Sequence, residues 1–231
     1  MKYIFTLLLF TIFISTNILS SDEISEDCSS KNVPSSERSF SNNFSGNFNG
    51  KNLQYTASLK EKILYEKDNP NEPMASFFYT EYIVASDKNR PVIFSFNGGP
   101  GSASLWLHMG VLGPKVIKVP SDASDDGSAP YKIVDNKLSP LSDADLVFID
   151  PIGTGYSRAV GCHEPEEFWG VSEDPKIIAE FIRRWINDNK RWNSPRYILG
   201  ESYGGIRGPL LVSELRSGSI TPIEVNGLLM V

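Results

Sequence analysis

A serine flanked by glycines stands at positions 200–204, where the sequence reads Gly-Glu-Ser-Tyr-Gly. This pattern is typical of a sharp turn between a strand and a helix, which exposes the serine hydroxyl above a sheet. Apolar residues at 197–199 predict the strand, and a helix candidate follows to about Arg216. Ser202 is therefore the candidate nucleophile of an acyl-transfer reaction. An ordinary serine in a glycine-rich turn is the alternative for this segment taken alone.

Two further glycine-rich segments follow predicted buried strands. Asn-Gly-Gly-Pro-Gly at 97–101 comes after the apolar run 91–96, and Pro-Ile-Gly-Thr-Gly comes after the run 146–150. Consecutive glycines free a backbone N–H to face a reacting carbonyl, although a plain Gly-Pro turn is the alternative at 97–101. In a largely parallel sheet, ligands bind outside the carboxyl ends of the strands, so we expect all three segments at that edge.

Together the three segments resemble the serine carboxypeptidase family. The matching blocks are Asn-Gly-Gly-Pro-Gly-Ser-Ala-Ser at 97–104, Phe-Ile-Asp-Pro-Ile-Gly-Thr-Gly-Tyr-Ser at 148–157 and Gly-Glu-Ser-Tyr-Gly-Gly at 200–205, in the family's order and spacing. Pro209 also falls where the family places a proline. The resemblance covers about residues 55–231 and is closest to the bacterial secreted branch. It implies an α/β-hydrolase fold, with a mostly parallel central sheet flanked by helices and its C-terminal part missing.

The resemblance implies a serine-type carboxypeptidase that hydrolyses C-terminal peptide bonds through an acyl-enzyme on Ser202. The backbone N–H groups of Gly99 and Tyr203 would form the oxyanion hole, and Asn97 and Glu201 would bind the substrate's free carboxylate. Glu201 must be protonated to donate a hydrogen bond to that carboxylate, because like charges disfavour joint ionisation. We therefore expect a complete enzyme to favour acidic pH and to act on peptides or proteins with free C-termini. No cofactor and no metal is implied.

Two positions depart from the family pattern. The family often has a cysteine where this chain has Ser102, so a local disulfide is absent. It often has a second glutamate, paired with the glutamate of the nucleophile motif, where this chain has Val111. The second departure weakens the case for strict carboxypeptidase specificity.

The chain contains no aspartate and no histidine after Ser202, although α/β-hydrolases carry their triad in the order serine, acid, histidine. Glu214 and Glu224 are the acids that follow, and we expect both at the surface. His108 lies in an apolar helical stretch and should be packed or hydrogen-bonded, while His163 is out of order for a triad. Since a serine without a general base is a poor nucleophile, we expect an incomplete chain with little or no peptidase activity.

Two other functions stay open. An esterase or acyltransferase on the same fold would use the same serine chemistry, because the fold does not decide the substrate. A non-catalytic remnant that binds peptide C-termini would explain the missing base. Nucleic-acid binding is disfavoured by the formal net charge of −6, and a dinucleotide fingerprint is absent.

The spacing of apolar residues along the sequence predicts the strands and helices that must position these segments. Alternating and β-branched residues predict strands at 54–59, 63–65 and 75–85. Apolar residues recur at helical spacing from Asp174 to Asn189, and Asp174 is the expected N-cap. The run Gly-Leu-Leu-Met-Val at 227–231 predicts the opening of a buried strand.

The N-terminal residues divide into two parts. Residues 1–21 have a lysine, an apolar core and small polar residues, which predicts a cleaved signal peptide, a secreted or periplasmic protein and no lasting membrane anchor. Residues 22–50 are rich in serine and asparagine and predict a flexible leader before the hydrolase domain at 51–231. In an oxidising compartment Cys28 and Cys162 can pair, but two free thiols are equally compatible with the sequence.

Overall fold

A computed structural model of the 231-residue chain describes residues 28–85, 89–119, 122, 129–217 and 221–231. The predicted signal peptide lies outside the described residues. The strands are β1 (Ser39–Phe48), β2 (Lys51–Tyr65), β3 (Pro73–Val84), β4 (Val92–Phe96), β5 (Lys115–Lys118), β6 (Lys132–Asp135), β7 (Asp145–Ile149), β8 (Arg158–Ala159), β9 (Arg196–Gly200) and β10 (Gly227–Met230). The helices are α1 (Leu105–Leu107), continued by a π-helical turn over His108–Leu112, α2 (Glu173–Asp188) and α3 (Gly204–Ser217). Short 3₁₀ turns lie at Cys28–Ser30, Pro140–Ser142 and Pro165–Phe168.

The main sheet is mixed, with its parallel strands grouped together. Its order is β1-β2-β3-β7-β4-β9-β10, and β8 pairs with β3. The four strands β7, β4, β9 and β10 run parallel, whereas β1, β2 and β3 are antiparallel to their neighbours. The carboxyl ends of the four parallel strands therefore meet at one edge, which is the edge that the sequence predicts for the site.

Alternate side chains of the central strands enter two separate cores. On one face, Phe94 and Phe96 pack against α2 and α3, and the rings of Phe94 and Trp185 meet edge to face with centroids 5.2 Å apart. On the other face, Leu146 and Phe148 pack with Leu107. Burial of each such side chain contributes about 1.5–3 kcal/mol. The sheet is thereby fixed between α2 and α3 on one face and the segment around α1 on the other.

Helix α2 forms where the periodicity predicts it, but its first turn differs. It begins at Glu173, and Ser172 occupies the N-cap position without a side-chain hydrogen bond. Asp174, the predicted N-cap, lies inside the first turn, and its carboxylate accepts a hydrogen bond from Arg207 instead. The prediction of an Asp174 cap is therefore wrong, because a tertiary ion pair takes the carboxylate.

One strand prediction needs correction. The short strands predicted at 54–59 and 63–65 are one continuous strand, β2, because β3 pairs with its residues 55–65. The strand predicted at 227–231 is present as β10, which pairs with β9 among the described residues, and Leu229 and Met230 are exposed there.

The predicted flexible leader is wrong over Ser39–Phe48, which forms β1. All ten residues of β1 pair with β2. Asn49 and Gly50 connect the two strands with φ of 49° and 80°, which is the two-residue Asn-Gly turn favoured in β-hairpins. An edge strand of this kind is held by backbone hydrogen bonds, so it needs few apolar side chains beyond the buried Phe48.

Cys28 and Cys162 form a disulfide across a sequence separation of 134 residues, so the alternative of two free thiols is wrong. The backbone N–H of Gly161 also donates to the carbonyl of Lys31, at 2.8 Å. These bonds tie the N-terminal segment to the loop after β8. Across the described ranges, no helix combines the length and the hydropathy that crossing a bilayer requires.

Candidate active site

A strained turn joins β9 to α3 and carries Ser202. Ser202 has φ of 56°, in the left-handed region that residues with a side chain rarely adopt. A Cβ on Gly200 would lie 2.1 Å from the carbonyl oxygen of Gly204, so only glycine fits there. The predicted strand–turn–helix geometry around the candidate nucleophile is therefore present in the fold.

The first glycine-rich loop packs directly on this turn. A Cβ on Gly98 would lie 2.4 Å from the backbone nitrogen of Tyr203, 2.6 Å from the carbonyl oxygen of Glu201 and 3.0 Å from the Cβ of Ser202. The next residue, Gly99, has φ of 109°. The loop after β4 and the turn after β9 thus form one continuous surface, and glycine is required for their close approach.

The backbone N–H groups of Gly99 and Tyr203 have no acceptor among the described residues, and that of Gly98, between Gly99 and β4, has none either. On either side of Tyr203 the N–H groups are bonded, since Ser202 donates to the carbonyl of Val231 at 2.7 Å and Gly204 donates to that of Glu201 at 2.8 Å. Free amides beside a nucleophile are what stabilisation of an oxyanion needs. The structure places both predicted donors on adjoining loops.

The two predicted carboxylate-binding residues are in contact. Asn97 is fully buried at the end of β4, and its Nδ2 donates to Oε2 of Glu201 at 3.0 Å. Its Oδ1 accepts from the backbone N–H of Leu107 at 3.1 Å. These two bonds fix the side-chain amide of Asn97 in one orientation, beside the partly exposed Glu201.

A buried ion pair that the sequence did not reveal lies beneath both loops. Arg207 is 2% exposed, and its Nε donates to Oδ2 of Asp174 at 2.7 Å. Its Nη1 donates to the carbonyl of Asn97 at 2.8 Å. The guanidinium also lies over the rings of Phe96 and Tyr203, 5.1 and 5.3 Å from their centroids. Burial raises the pKa of Asp174, and the charge and hydrogen bond of Arg207 act in the opposite direction.

The third glycine-rich loop lies at the same edge. Oδ1 of Asp150 accepts from the backbone N–H of Ser104 at 2.8 Å, and burial raises the pKa of that carboxyl. A Cβ on Gly155 would lie 2.3 Å from Oδ2 of Asp150. A cavity of about 370 Å³ separates this loop from the first glycine loop, with Trp169 in its wall. The predicted convergence of the three segments is confirmed.

His108 is packed and hydrogen-bonded, as predicted. Its Nε2 lies 2.6 Å from the hydroxyl of Tyr82, and its ring stacks on Phe148 with centroids 4.6 Å apart. Burial lowers the pKa of His108 to about 4. At neutral pH this ring is therefore an uncharged part of the core.

His163 lies between two carboxylates. Its Nδ1 is 2.9 Å from Oε2 of Glu167, and its Nε2 is 3.3 Å from Oε1 of Glu66, without hydrogen-bond geometry. In the part of the chain that the structure describes, neither His163 nor His108 contacts Ser202. The described residues thus bring together the candidate nucleophile and the predicted oxyanion donors, and neither described histidine lies beside them.

The remaining predicted positions lie where the sequence suggests. Glu224 is exposed, 3.6 Å from Arg216, and Glu214 is partly buried on α3. Val111 is exposed on the π-helical turn, and the partner of Glu201 in this chain is Asn97.

Comparison with known proteins gives the same family as the sequence motifs. A family model described as serine carboxypeptidase matches residues 53–230. Serine carboxypeptidase-like 9 of Arabidopsis thaliana is 32% identical over 168 residues, which are 69% of this chain and 36% of that protein. Serine carboxypeptidase-like 2 of the same plant is 30% identical over 170 residues, again 69% of this chain and 36% of that protein. The chain thus spans about a third of the length of these curated relatives.

Among solved structures, the chain is similar to KEX1(delta)p, a prohormone-processing carboxypeptidase from Saccharomyces cerevisiae. The TM-score is 0.55 at 20% identity, over 77% of this chain and 38% of that one. At this identity the likeness concerns the fold alone.

Proposed function

The chain belongs to the serine carboxypeptidase family and has the α/β-hydrolase fold, and on that premise we propose that the native protein is a serine-type carboxypeptidase. Membership of the family supports a hydrolase of the peptidase type. The observation that carries the proposal is the strained turn at Ser202, packed against the loop of Gly98 and Gly99. This contact supports the proposal, because the turn of Ser202 adjoins backbone N–H groups without described acceptors.

In the proposed reaction the hydroxyl of Ser202 attacks the carbonyl carbon of the last peptide bond. The N–H groups of Gly99 and Tyr203 stabilise the charge that develops on the carbonyl oxygen, and each such donor typically contributes about 10²–10³ in rate. The amine of the terminal residue leaves with a proton, and the acyl group stays on Ser202. Water then hydrolyses this ester and regenerates the serine.

Asn97 and Glu201 are the proposed binding site for the terminal carboxylate of the substrate. The hydrogen bond between their side chains supports this pairing, and the fully buried Asn97 has its amide orientation set by Leu107. A protonated Glu201 donates to the substrate carboxylate, whereas an ionised one repels it.

The proton acceptor for Ser202 is not among the described contacts. Since His108 is held by Tyr82 and His163 by Glu167, we propose that these 231 residues alone turn over little or no peptide. Stoichiometric labelling of Ser202 by a fluorophosphonate in the isolated 231-residue chain would overturn this part of the proposal.

We also propose that the native protein is exported, acts on peptides or proteins with a free C-terminus and belongs to the bacterial secreted branch. The apolar run at 1–21 and the Cys28–Cys162 disulfide support export, because disulfides persist in oxidising compartments. Recovery of the protein in the cytosolic fraction of its source, with both thiols reduced, would contradict export.

The test of the activity uses the full natural reading frame that contains this chain. Release of the last residue is measured from a peptide with a free C-terminal carboxylate and from the same peptide as its amide. We expect a preference of about 100-fold or more for the free acid, since the amide cannot form the charge-assisted contact. Ser202→Ala is the control and should abolish the release.

Glu201→Gln sharpens this experiment, because glutamine donates a hydrogen bond at every pH. The variant should keep the preference for the free-acid peptide. Cleavage of esters or transfer of the acyl group to an added alcohol, without peptide hydrolysis, would favour the esterase or acyltransferase alternative. Binding of the free-acid peptide without turnover would favour a non-catalytic remnant.

A further inference from the structure

One side chain contacts both halves of the proposed oxyanion hole. Nη1 of Arg207 donates to the carbonyl of Asn97, which is the residue that opens the first glycine loop. The same guanidinium lies over the ring of Tyr203, whose backbone N–H is the other proposed donor. Arg207 is itself held through Nε by Asp174 of α2.

We infer that Arg207 is a positioning residue that sets the separation of the Gly99 and Tyr203 N–H groups, and this inference rests on the proposed function. Arg207 does not touch the reacting atoms. It acts through the peptide group that follows Asn97 and through the aromatic ring of Tyr203.

The glycine loop needs support of this kind. Gly98 and Gly99 have no side chains that could hold the loop by packing, and Gly99 has φ of 109°. A loop with this freedom loses more conformational entropy on ordering than any other, so its position depends on external bonds. The bond from Arg207 to the Asn97 carbonyl is such a bond, and it lies one residue before Gly98.

Arginine suits this task better than lysine. Its planar guanidinium donates in two directions at once, here toward the Asp174 carboxylate and the Asn97 carbonyl, and it stacks on aromatic faces. The substitution Arg207→Lys would keep the positive charge but lose the planar group that donates to both the Asp174 carboxylate and the Asn97 carbonyl. The conservative variant should therefore rescue only part of the function.

The chain contains a matched control. Arg191 is 5% exposed, and its Nη1 donates to the fully buried Asp145 at 2.8 Å. Its Nε donates to Ser194 at 2.7 Å. This ion pair is as buried as that of Arg207, but it involves the first residue of β7 and none of the proposed site residues. Loss of Arg191 therefore measures the effect of removing a buried arginine away from the proposed site, where Asp145 keeps its hydrogen bond from Arg90.

The experiment compares Arg207→Met, Arg207→Lys and Arg191→Met in the full natural reading frame. For Arg207→Met we expect kcat for the free-acid peptide to fall about 10–100-fold, with KM changed less than threefold because Asn97 and Glu201 keep their own hydrogen bond. Arg207→Lys should fall between this variant and wild type. Arg191→Met should lower Tm and leave kcat per folded molecule unchanged.

A second readout does not depend on activity. With selective ¹⁵N-glycine and ¹⁵N-tyrosine labelling, Arg207→Met should shift the amide resonances of Gly99 and Tyr203 and speed their hydrogen exchange, and Arg191→Met should change neither. If the wild-type protein hydrolyses no peptide, the proposed function fails, and these resonances still decide the role of Arg207.

Three results would overturn the inference: an unchanged kcat in folded Arg207→Met, an equal loss of kcat in Arg191→Met, or unshifted Gly99 and Tyr203 amides in Arg207→Met. Should Arg207→Met fail to fold, Asp174→Asn replaces it. That variant keeps the shape of the pair but removes the charge that orients the guanidinium. It should lower kcat about threefold to tenfold and shift the same two amides.

Discussion

A buried aspartate bonded to arginine lies at each end of the parallel strands. The two ends differ in the backbone segments that these side chains contact. At the amino ends, Asp145 accepts from Nε of Arg90 at 3.1 Å, from Nη1 of Arg191 at 2.8 Å and from the backbone N–H of Val84 at 3.0 Å. These bonds join β3, β7 and the two loops that precede β4 and β9. Lys190, next to Arg191 in the loop before β9, has φ of 56°.

At the carboxyl ends, the pair of Asp174 and Arg207 supports a backbone that would not keep its shape unaided. Gly99 and Ser202 both have positive φ, and their loops leave N–H groups without described acceptors. The chemistry of the two ion pairs is the same, so a buried ion pair does not itself mark a functional site. The close packing of the Gly98 loop on the turn at Ser202 distinguishes the carboxyl end.

Of the substitutions that distinguish the two ends of the strands, Gly98→Ala is expected to have the largest effect on activity. The added methyl group would meet the nitrogen of Tyr203 and the carbonyl oxygen of Glu201 at 2.4 and 2.6 Å, and neither backbone atom can yield without moving the turn at Ser202. We expect kcat/KM in the full reading frame to fall about 100-fold or more, because displacement of the donors removes stabilisation of the oxyanion. Steady-state kinetics with the free-acid peptide measure this loss.

The matched control for that variant is Gly50→Ala in the β1–β2 turn, where a Cβ meets nothing within 4 Å. Gly50 has φ of 80°, so this substitution strains a turn without touching the site. Similar losses of kcat/KM in the two variants would contradict the special role of the carboxyl-end loop.

The next largest effect is expected for a substitution at the amino ends of the strands, which leaves the carboxyl-end loops in place. Asp145→Asn leaves Arg90 and Arg191 without their common carboxylate, and removal of one partner of a buried ion pair typically costs about 3–5 kcal/mol. We expect the free energy of unfolding, measured in urea, to fall by about this amount. The kcat/KM per folded molecule should stay within twofold, and a larger loss at unchanged stability would show that the two ends are coupled.

The smallest effect is the pH dependence of stability that is due to His108, which follows the first glycine loop in the sequence. The pKa of His108 is about 4 in the folded chain, below the value of about 6.5 expected when the chain is unfolded. Between these values the unfolded chain binds more protons, so the stability from neutral His108 is complete above pH 6.5 and is lost as pH falls toward 4. The free energy of unfolding that is lost in this way is at most about 3 kcal/mol.

His108→Gln tests this, because glutamine does not titrate and can still hydrogen-bond the hydroxyl of Tyr82. The difference in free energy of unfolding between wild type and variant should shrink as pH falls from 7 to 4.5. Parallel pH curves for the two proteins would contradict the assignment.

Features that depend on a few adjacent residues could be predicted from the sequence. A positive φ or a close backbone approach requires glycine at that position, so the loop of Gly98 and Gly99 and the turn at Ser202 were recognisable in the sequence. The helical period of α2 was readable because its buried face repeats along one segment. The Asn49-Gly50 turn was equally local, but the polar composition of residues 22–50 led to the wrong prediction of a flexible leader.

Features that join distant residues were decided only by the tertiary structure. Arg207 and Asp174 stand 33 residues apart, and each had several possible partners of opposite charge. Cys28 and Cys162 stand 134 residues apart, and both could have stayed free thiols. Which of them meet depends on the path of the whole chain, because side chains interact through space and not through sequence. The sequence by itself determined a nucleophile, its flanking turn and the loop that faces it. Folding alone decided which buried charges hold that turn and that loop together.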